Sequence, residues 1–140
     1  MNLLFRRSLG WFDIPEKEAL IALVDDVQQG EPYFNEPGEI PAASWLPNSC
    51  RDTSLIFTAY HWPSVYPIGF CIMKPFEQYT DFENDGQTYG INPKTSIYIA
   101  ELGVSEATRG MGVGLMLLNF GMKQCPFETT HYLVRTMKGV

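Results

Sequence analysis

A chain of 140 residues with 45% hydrophobic and 19% charged residues suits one packed domain and excludes a disordered chain. Its formal net charge of −6 excludes a nucleic-acid binder that works by displacing counterions, and any anionic ligand must be held by local features against the field of the whole protein. Cys50, Cys71 and Cys125 are an odd number at wide spacing with no CxxC pair, which excludes a disulfide framework and a zinc ribbon.

In chain order, Asn2 to Leu9 predicts a first strand. Asp13-Ile14-Pro15-Glu16 reads as a helix start, with Asp13 accepting a backbone N–H, Pro15 in the first turn and Glu16 at capping-box spacing. Leu20, Leu23, Val24 and Val27 fall at i, i+3, i+4 and i+7, one helical face that Gly30 and Pro32 terminate. Residues 32–48 are rich in Pro, Gly and Asn and predict irregular structure with room for a short helical turn, anchored by Tyr33 and Trp45. Ser54 to Tyr60 and Tyr66 to Lys74 predict an antiparallel hairpin turning at His61-Trp62-Pro63-Ser64, with Pro67 near a strand start, where its missing N–H costs least.

Phe76 to Thr95 is a polar, aromatic insertion, a long loop or lid. Ile97 to Val104 is the clearest strand, apolar on both faces as for a strand covered on both sides. After a turn over Ser105 to Gly112, a helix runs to Gln124. Val113, Met116, Leu117 and Phe120 form one stripe and Leu115, Leu118 and Met122 a second, which predicts a largely buried helix. Pro126 ends it, and His131 to Thr136 is a last strand. The order is mixed α/β in a single domain over residues 1–140, its final strand–helix–strand unit a right-handed parallel crossover. No signal-peptide pattern opens the chain, and no apolar run reaches the roughly 20 residues that span a bilayer. The expectation is a cytoplasmic protein with reduced thiols and no membrane or nucleic-acid partner.

Chemistry concentrates in Arg109-Gly110-Met111-Gly112-Val113-Gly114, between the strongest strand and the apolar helix. Glycines let the backbone turn sharply and approach a ligand. The N–H groups of the turn and of the helix's first turn then converge on one point, a site for phosphate oxygens, and Arg109 adds a local positive charge. A Walker loop needs GxxxxGK[ST], and no Lys-Ser or Lys-Thr follows these glycines. A dinucleotide fingerprint needs GxGxxG, and Gly114 comes one residue too early.

Leu102-x-Val104, then Arg109-x-x-Gly112-x-Gly114, then an apolar helix, resembles the acetyl-CoA motif of the GCN5-related N-acetyltransferases (the GNAT superfamily). The resemblance implies an α/β fold whose mostly antiparallel sheet carries a parallel strand pair at the cofactor cleft, with flanking helices. It implies acetyl-CoA as acyl donor, no metal, and an acceptor that is a small-molecule or peptide amine. The backbones of Leu102, Gly103 and Val104 would pair with the pantetheine arm, and Arg109, Gly110, Met111, Gly112, Val113 and Gly114 would cradle the pyrophosphate. A strand N–H near Leu102 to Val104 would polarise the thioester carbonyl.

Glu101 is the favoured general base. It interrupts an apolar strand beside the motif, and burial among Ile97, Ile99 and Gly103 would raise its pKa towards neutrality. His61 and His131 are weaker candidates. Asp81, Glu83 and Asp85 form an acidic patch that would attract a cationic amine, and Tyr79, Phe82 and Tyr89 could line an acceptor pocket. The chain departs from the family pattern in ending soon after its last predicted strand, without the further helix, tyrosine acid and strands that family members carry. The C-terminal part therefore reads as missing, and Tyr132, on a strand, is not the acid. Direct transfer within a ternary complex is the leading reading. A non-catalytic acyl-CoA sensor or interaction module on the same scaffold is the alternative, and a homodimer is compatible with either.

Overall fold

The computed structural model describes residues 2–30, 40–51, 53–78 and 90–134. One five-stranded sheet has the spatial order β1-β2-β3-β4-β5, formed by β1 (Leu3–Leu9), β2 (Leu55–His61), β3 (Pro67–Pro75), β4 (Ser96–Val104) and β5 (His131–Val134). The first four strands pair antiparallel and β4 pairs with β5 in parallel. This is the mixed sheet that the resemblance implies.

Helices α1 (Lys17–Gln29) and α2 (Ala42–Ser49) cover one face of the sheet, where Leu20, Leu23, Val24, Val27 and Leu46 pack with Ile56, Phe70 and Ile72. Helix α3 (Val113–Gln124) covers the other, where Val113 and Leu117 pack with Phe57, Cys71, Met73, Ile97 and Ile99. β2 and β3 thus send alternate residues into two separate cores. The periodicity read from Leu20 to Val27 marks the buried face of α1.

Three local expectations need correction. Asp13 does not cap α1. Its Oδ2 accepts the Leu9 N–H at 2.9 Å, closing the turn between β1 and a 3₁₀ turn over Trp11–Asp13. Ile14, which precedes Pro15, is extended, so the helix starts only at Lys17. The stretch expected to be irregular contains the eight-residue α2, in spite of Pro47. Its first N–H, on Ala42, is capped across space by Asp25 Oδ1 of α1 at 2.8 Å. Finally, α3 is not buried on both stripes. Val113, Leu117 and Gly121 face the sheet, while Leu115 and Met116 are exposed.

The expected turn residue His61 instead ends β2, opposite Leu3. Trp45 packs partly buried against the α1/α2 core. Tyr33, the insertion residues Tyr79, Asp81, Phe82, Glu83, Asp85 and Tyr89, and residues 135–136 of the last predicted strand lie outside the described residues. The described ends of the insertion are 3₁₀ turns over Phe76–Gln78 and Pro93–Thr95.

Gly121 lets α3 approach the sheet. A Cβ there would lie 2.8 Å from Met73 Cε and 2.9 Å from the Phe57 ring. Gly121→Ala is therefore expected to destabilise the fold by about 1–3 kcal/mol, through overpacking that outweighs the gain in helix propensity. Urea unfolding measures this, and a variant as stable as wild type would refute the close contact.

Candidate functional site

The site is built where β4 leaves regular pairing. Ile72 pairs with Glu101 and Met73 with Ile99, so Ala100 is an extra residue, a β-bulge. Before the bulge, Ile97 and Ile99 point to α3. In an unbroken strand Glu101 would join them. The extra residue turns it instead to the face of Ile72, over α1 and α2. Past the bulge, Leu102 and Val104 point to the α3 side, and Gly103 faces α1, where a Cβ would lie 2.7 Å from Phe70 and 2.9 Å from Val27.

β5 pairs with Ser96, Ile97, Tyr98 and Ile99, and no described residue pairs on that side with residues 100–104. The backbone expected to meet an amide-bearing arm is thus bonded to β3 alone among the described residues.

The glycine-rich turn follows directly. Ser105 N–H donates to Ile68 O at 2.8 Å, a 3₁₀ turn spans Glu106–Thr108, and Ser105 and Thr108 share a hydroxyl hydrogen bond at 2.8 Å. Gly110 and Gly112 then adopt φ of 81° and 78°, the left-handed region that disfavours a side chain. Gly112 is the N-cap of α3, its carbonyl accepting the Met116 N–H at 3.0 Å. A Cβ on Gly110 or Gly112 would meet nothing within 4 Å, so both face open space. Gly114 serves packing, since a Cβ there would lie 3.3 Å from Val104 Cγ2. Gly112 caps α3, and a helix leaves the N–H groups of its first turn without intrahelical acceptors. The turn and the positive end of α3 are therefore suited to an anion.

Arg109 is exposed, and its guanidinium reaches back to the C-terminal end of α1, with Nη2 3.3 Å from the position of a Cβ on Gly30. A cleft of about 310 Å³ lies there, bounded by Asp26, Gly30, Ser105, Glu106 and Arg109. A cation at a helix C-terminus is favourable, so Arg109 ties the turn to α1.

Glu101 is half-buried. Burial pushes its carboxyl from 4.5 up to about 7, and the Lys74 ammonium partly opposes the rise. The direction agrees with the sequence reading, but the neighbours do not: only Gly103 of the three expected lies on its face, with Cys50 and Lys74 in place of Ile97 and Ile99. Lys74 donates to Ser49 Oγ at 2.9 Å. Sequence reasoning missed this group. Its signal is a lysine in register with the core residues Phe70 and Ile72 of β3.

The remaining candidates lie elsewhere. His61 is exposed at the end of β2. His131 is exposed opposite Ser96, at the far end of β4 from Glu101, with Nδ1 3.0 Å from Thr130 Oγ1. Tyr132 donates its hydroxyl to Met122 O of α3 at 3.1 Å. All three cysteines are free and buried, and burial pushes Cys50 and Cys71 up to about 12. Among the described residues no helix is long and apolar enough to cross a membrane.

Neither a family model nor a curated protein matches the sequence. Solved structures do match. An aminoglycoside acetyltransferase from an uncultured soil metagenomic sample, in complex with sisomicin, is 21% identical with a TM-score of 0.61, over 97% of this chain and 78% of that one. A GNAT-family acetyltransferase from Streptococcus pneumoniae is 12% identical with a TM-score of 0.61, over 98% and 77%. The PaiA N-acetyltransferase of Thermoplasma acidophilum, in complex with coenzyme A, is 16% identical with a TM-score of 0.59, over 88% and 71%. The chain therefore has a GNAT-like fold.

The raised carboxyl has a stability signature. The folded state holds the Glu101 proton more tightly than the unfolded chain, so its contribution is fully present below about pH 4.5 and is lost as pH rises through about 7. Glu101→Gln is therefore expected to stabilise the protein at about pH 8 by roughly 2 kcal/mol, discounted for residual exposure, with the difference vanishing below about pH 4.5. Denaturant unfolding at the two pH values checks this, and a pH-independent difference would contradict it.

Proposed function

We propose that this domain is an N-acetyltransferase that moves acetyl from acetyl-CoA to a primary amine by direct attack within a ternary complex. The observation that carries the reading is the adjacency of two backbone segments. One is the glycine-rich turn with the first turn of α3, where Gly110 and Gly112 face open space at left-handed φ, and the other is β4 beyond Ala100, which runs directly into it. A diphosphate joined to an amide-bearing arm fits both at once. Nucleotides lacking such an arm would use the first segment alone. The coenzyme A bound to a protein of the same fold supports the same ligand class.

Acetyl-CoA supplies an acyl group already activated as a thioester. The protein's own part is then orientation, proton removal and charge stabilisation. The N–H groups from Gly110 to Gly114, those of Met111 and Val113 among them, orient the diphosphate, while Arg109, whose own N–H donates to Glu106 O at 3.2 Å and whose guanidinium reaches α1, stands outside this row. Leu102, Gly103 and Val104 align the arm along β4, and a strand N–H there polarises the thioester carbonyl. Glu101, on the next residue, takes the proton from the acceptor ammonium, directly or through water. A carboxyl titrating at about 7 suits that task, because half is ionised near neutrality and its basicity exceeds that of an ordinary glutamate. A covalent route through cysteine is disfavoured, since thiols held at about 12 carry almost no thiolate at neutral pH. The acceptor is a small-molecule or peptide amine. The sisomicin complex of the aminoglycoside acetyltransferase supports the small-molecule side of that range.

Titration calorimetry tests the ligand. Acetyl-CoA should bind, ATP and NAD should not, and the reverse would overturn the assignment. Gly112→Val should cut acetyl-CoA affinity at least tenfold, because the new side chain enters the open space over the turn at a left-handed φ. For turnover, thiol release with a panel of amines should rise through about pH 7 and level above it. Glu101→Gln should lower kcat about 100-fold and leave acetyl-CoA affinity unchanged. An unaltered rate would remove Glu101 from the mechanism, and affinity without turnover on any amine would favour an acyl-CoA sensor.

A further inference from the structure

The Glu101 carboxyl has a cationic neighbour that the mechanism above leaves unused. Lys74 lies two residues beyond Ile72 on β3, and Ile72 is the residue opposite Glu101. Strand alternation therefore puts Ile72, Lys74 and Glu101 on one face, and the bulge at Ala100 is what brings Glu101 there. Lys74 is half-buried, and its Nζ is fixed by the hydroxyl of Ser49, the last residue of α2, at 2.9 Å. A half-buried ammonium with one of its three donors engaged in this way is oriented, not free to sweep through solvent.

Other charged or titratable groups share this face, among them Tyr98 of β4, buried and directly opposite Lys74. Cys50, at the end of α2, keeps its proton, since its thiol titrates at about 12. Arg51, exposed just beyond α2, acts on Lys74. α1 turns Leu20, Leu23, Val24 and Val27 inward, and its Asp25 is engaged by the Ala42 N–H. β2 presents the buried Ile56.

We propose that Lys74 is a positioning residue for Glu101: fixed on Ser49, its ammonium sets the charge state of the carboxyl across the bulge. The catalytic consequence rests on the reading of Glu101 as the base. Desolvation alone favours the neutral acid, and the nearby cation favours the carboxylate. Without Lys74 the carboxyl is held further up, and the ionised base becomes scarce at neutral pH.

Lys74→Met removes the charge and keeps most of the stem. The primary readout is the carbon-13 titration of the Glu101 carboxyl, identified by the loss of its signal in E101Q. In K74M the midpoint should rise by about one unit, and in K74R it should return close to wild type. The acid limb of acetyl transfer should move with it, so that the rate at about pH 7 falls roughly fivefold and recovers above about pH 9. Should K74M not fold, K74Q, which keeps a donor for Ser49 Oγ, carries the same titration. A midpoint that stays in place in a folded variant overturns the proposal. The titration needs no turnover. A midpoint that moves while the rate profile does not supports the role of Lys74 and instead removes Glu101 as the base, so the two failures are distinct.

Discussion

One extra residue in β4 governs the site. A regular strand would point Glu101 at the apolar core under α3, which includes Cys71, Met73, Ile97, Ile99 and Leu117. Ala100 changes the phase of the alternation. It delivers Glu101 to the face where Lys74 and the end of α2 wait, and it sends Leu102 and Val104 to the side of the glycine-rich turn. It also falls where pairing between β4 and β5 stops among the described residues. A single irregularity therefore separates the half of β4 that turns Ile97 and Ile99 to α3 from the half that leads into the glycine-rich turn.

Electrostatics explain why an anion site on this chain would be made of backbone. With 16 acidic against 10 basic side chains, the surface as a whole repels a polyanion. The basic side chain nearest the turn, Arg109, extends to the carboxyl end of α1. What remains for phosphate oxygens is the row of N–H groups from Gly110 to Leu115, aligned with the dipole of α3. Such donors are neutral and fixed, so they hold an anion without placing a further charge beside Glu101. The two left-handed glycines open that row, and the third lets α3 pack against Val104 close enough to aim it.

Much of this was legible from local chemistry. The i, i+3, i+4, i+7 pattern of α1, the hairpin, and the strand–glycine–helix unit all depend on residues near one another in the chain, as does the spacing that separates this turn from a Walker loop or a dinucleotide fingerprint. The misreadings share one cause, which is that their partners are distant in sequence. Asp13 looked like a helix cap, but it serves the Leu9 N–H instead. Residues 32–48 read as irregular with room for a short helical turn because they are rich in Pro, Gly and Asn, and the cap that secures α2 comes from Asp25 of α1. The exposure of Leu115 and Met116 depends on what covers α3, which periodicity does not reveal. The bulge at Ala100 leaves no compositional mark, so Glu101 was assigned the right tendency with the wrong neighbours.

The buried ionisable groups fit together as a chemical argument for direct transfer. Cys50 and Cys71 are desolvated far enough to stay protonated at neutral pH, which makes them inert as nucleophiles. Glu101 is desolvated too, and with Lys74 opposing part of the rise it titrates near neutrality. Burial acts in the same direction on all three groups, but their ordinary values differ by several units, so the same environment that silences a thiol turns a carboxylate into a usable base. That selectivity has a thermodynamic cost. A carboxylate kept half-buried at neutral pH without direct neutralisation destabilises the folded state relative to an amide of the same shape, and a residue with no function would gain nothing by retaining it. Glu101 lies one bulge away from a fixed ammonium on the strand that leads into the glycine-rich turn, and proton removal from an acceptor is the use proposed for a carboxyl held in that state.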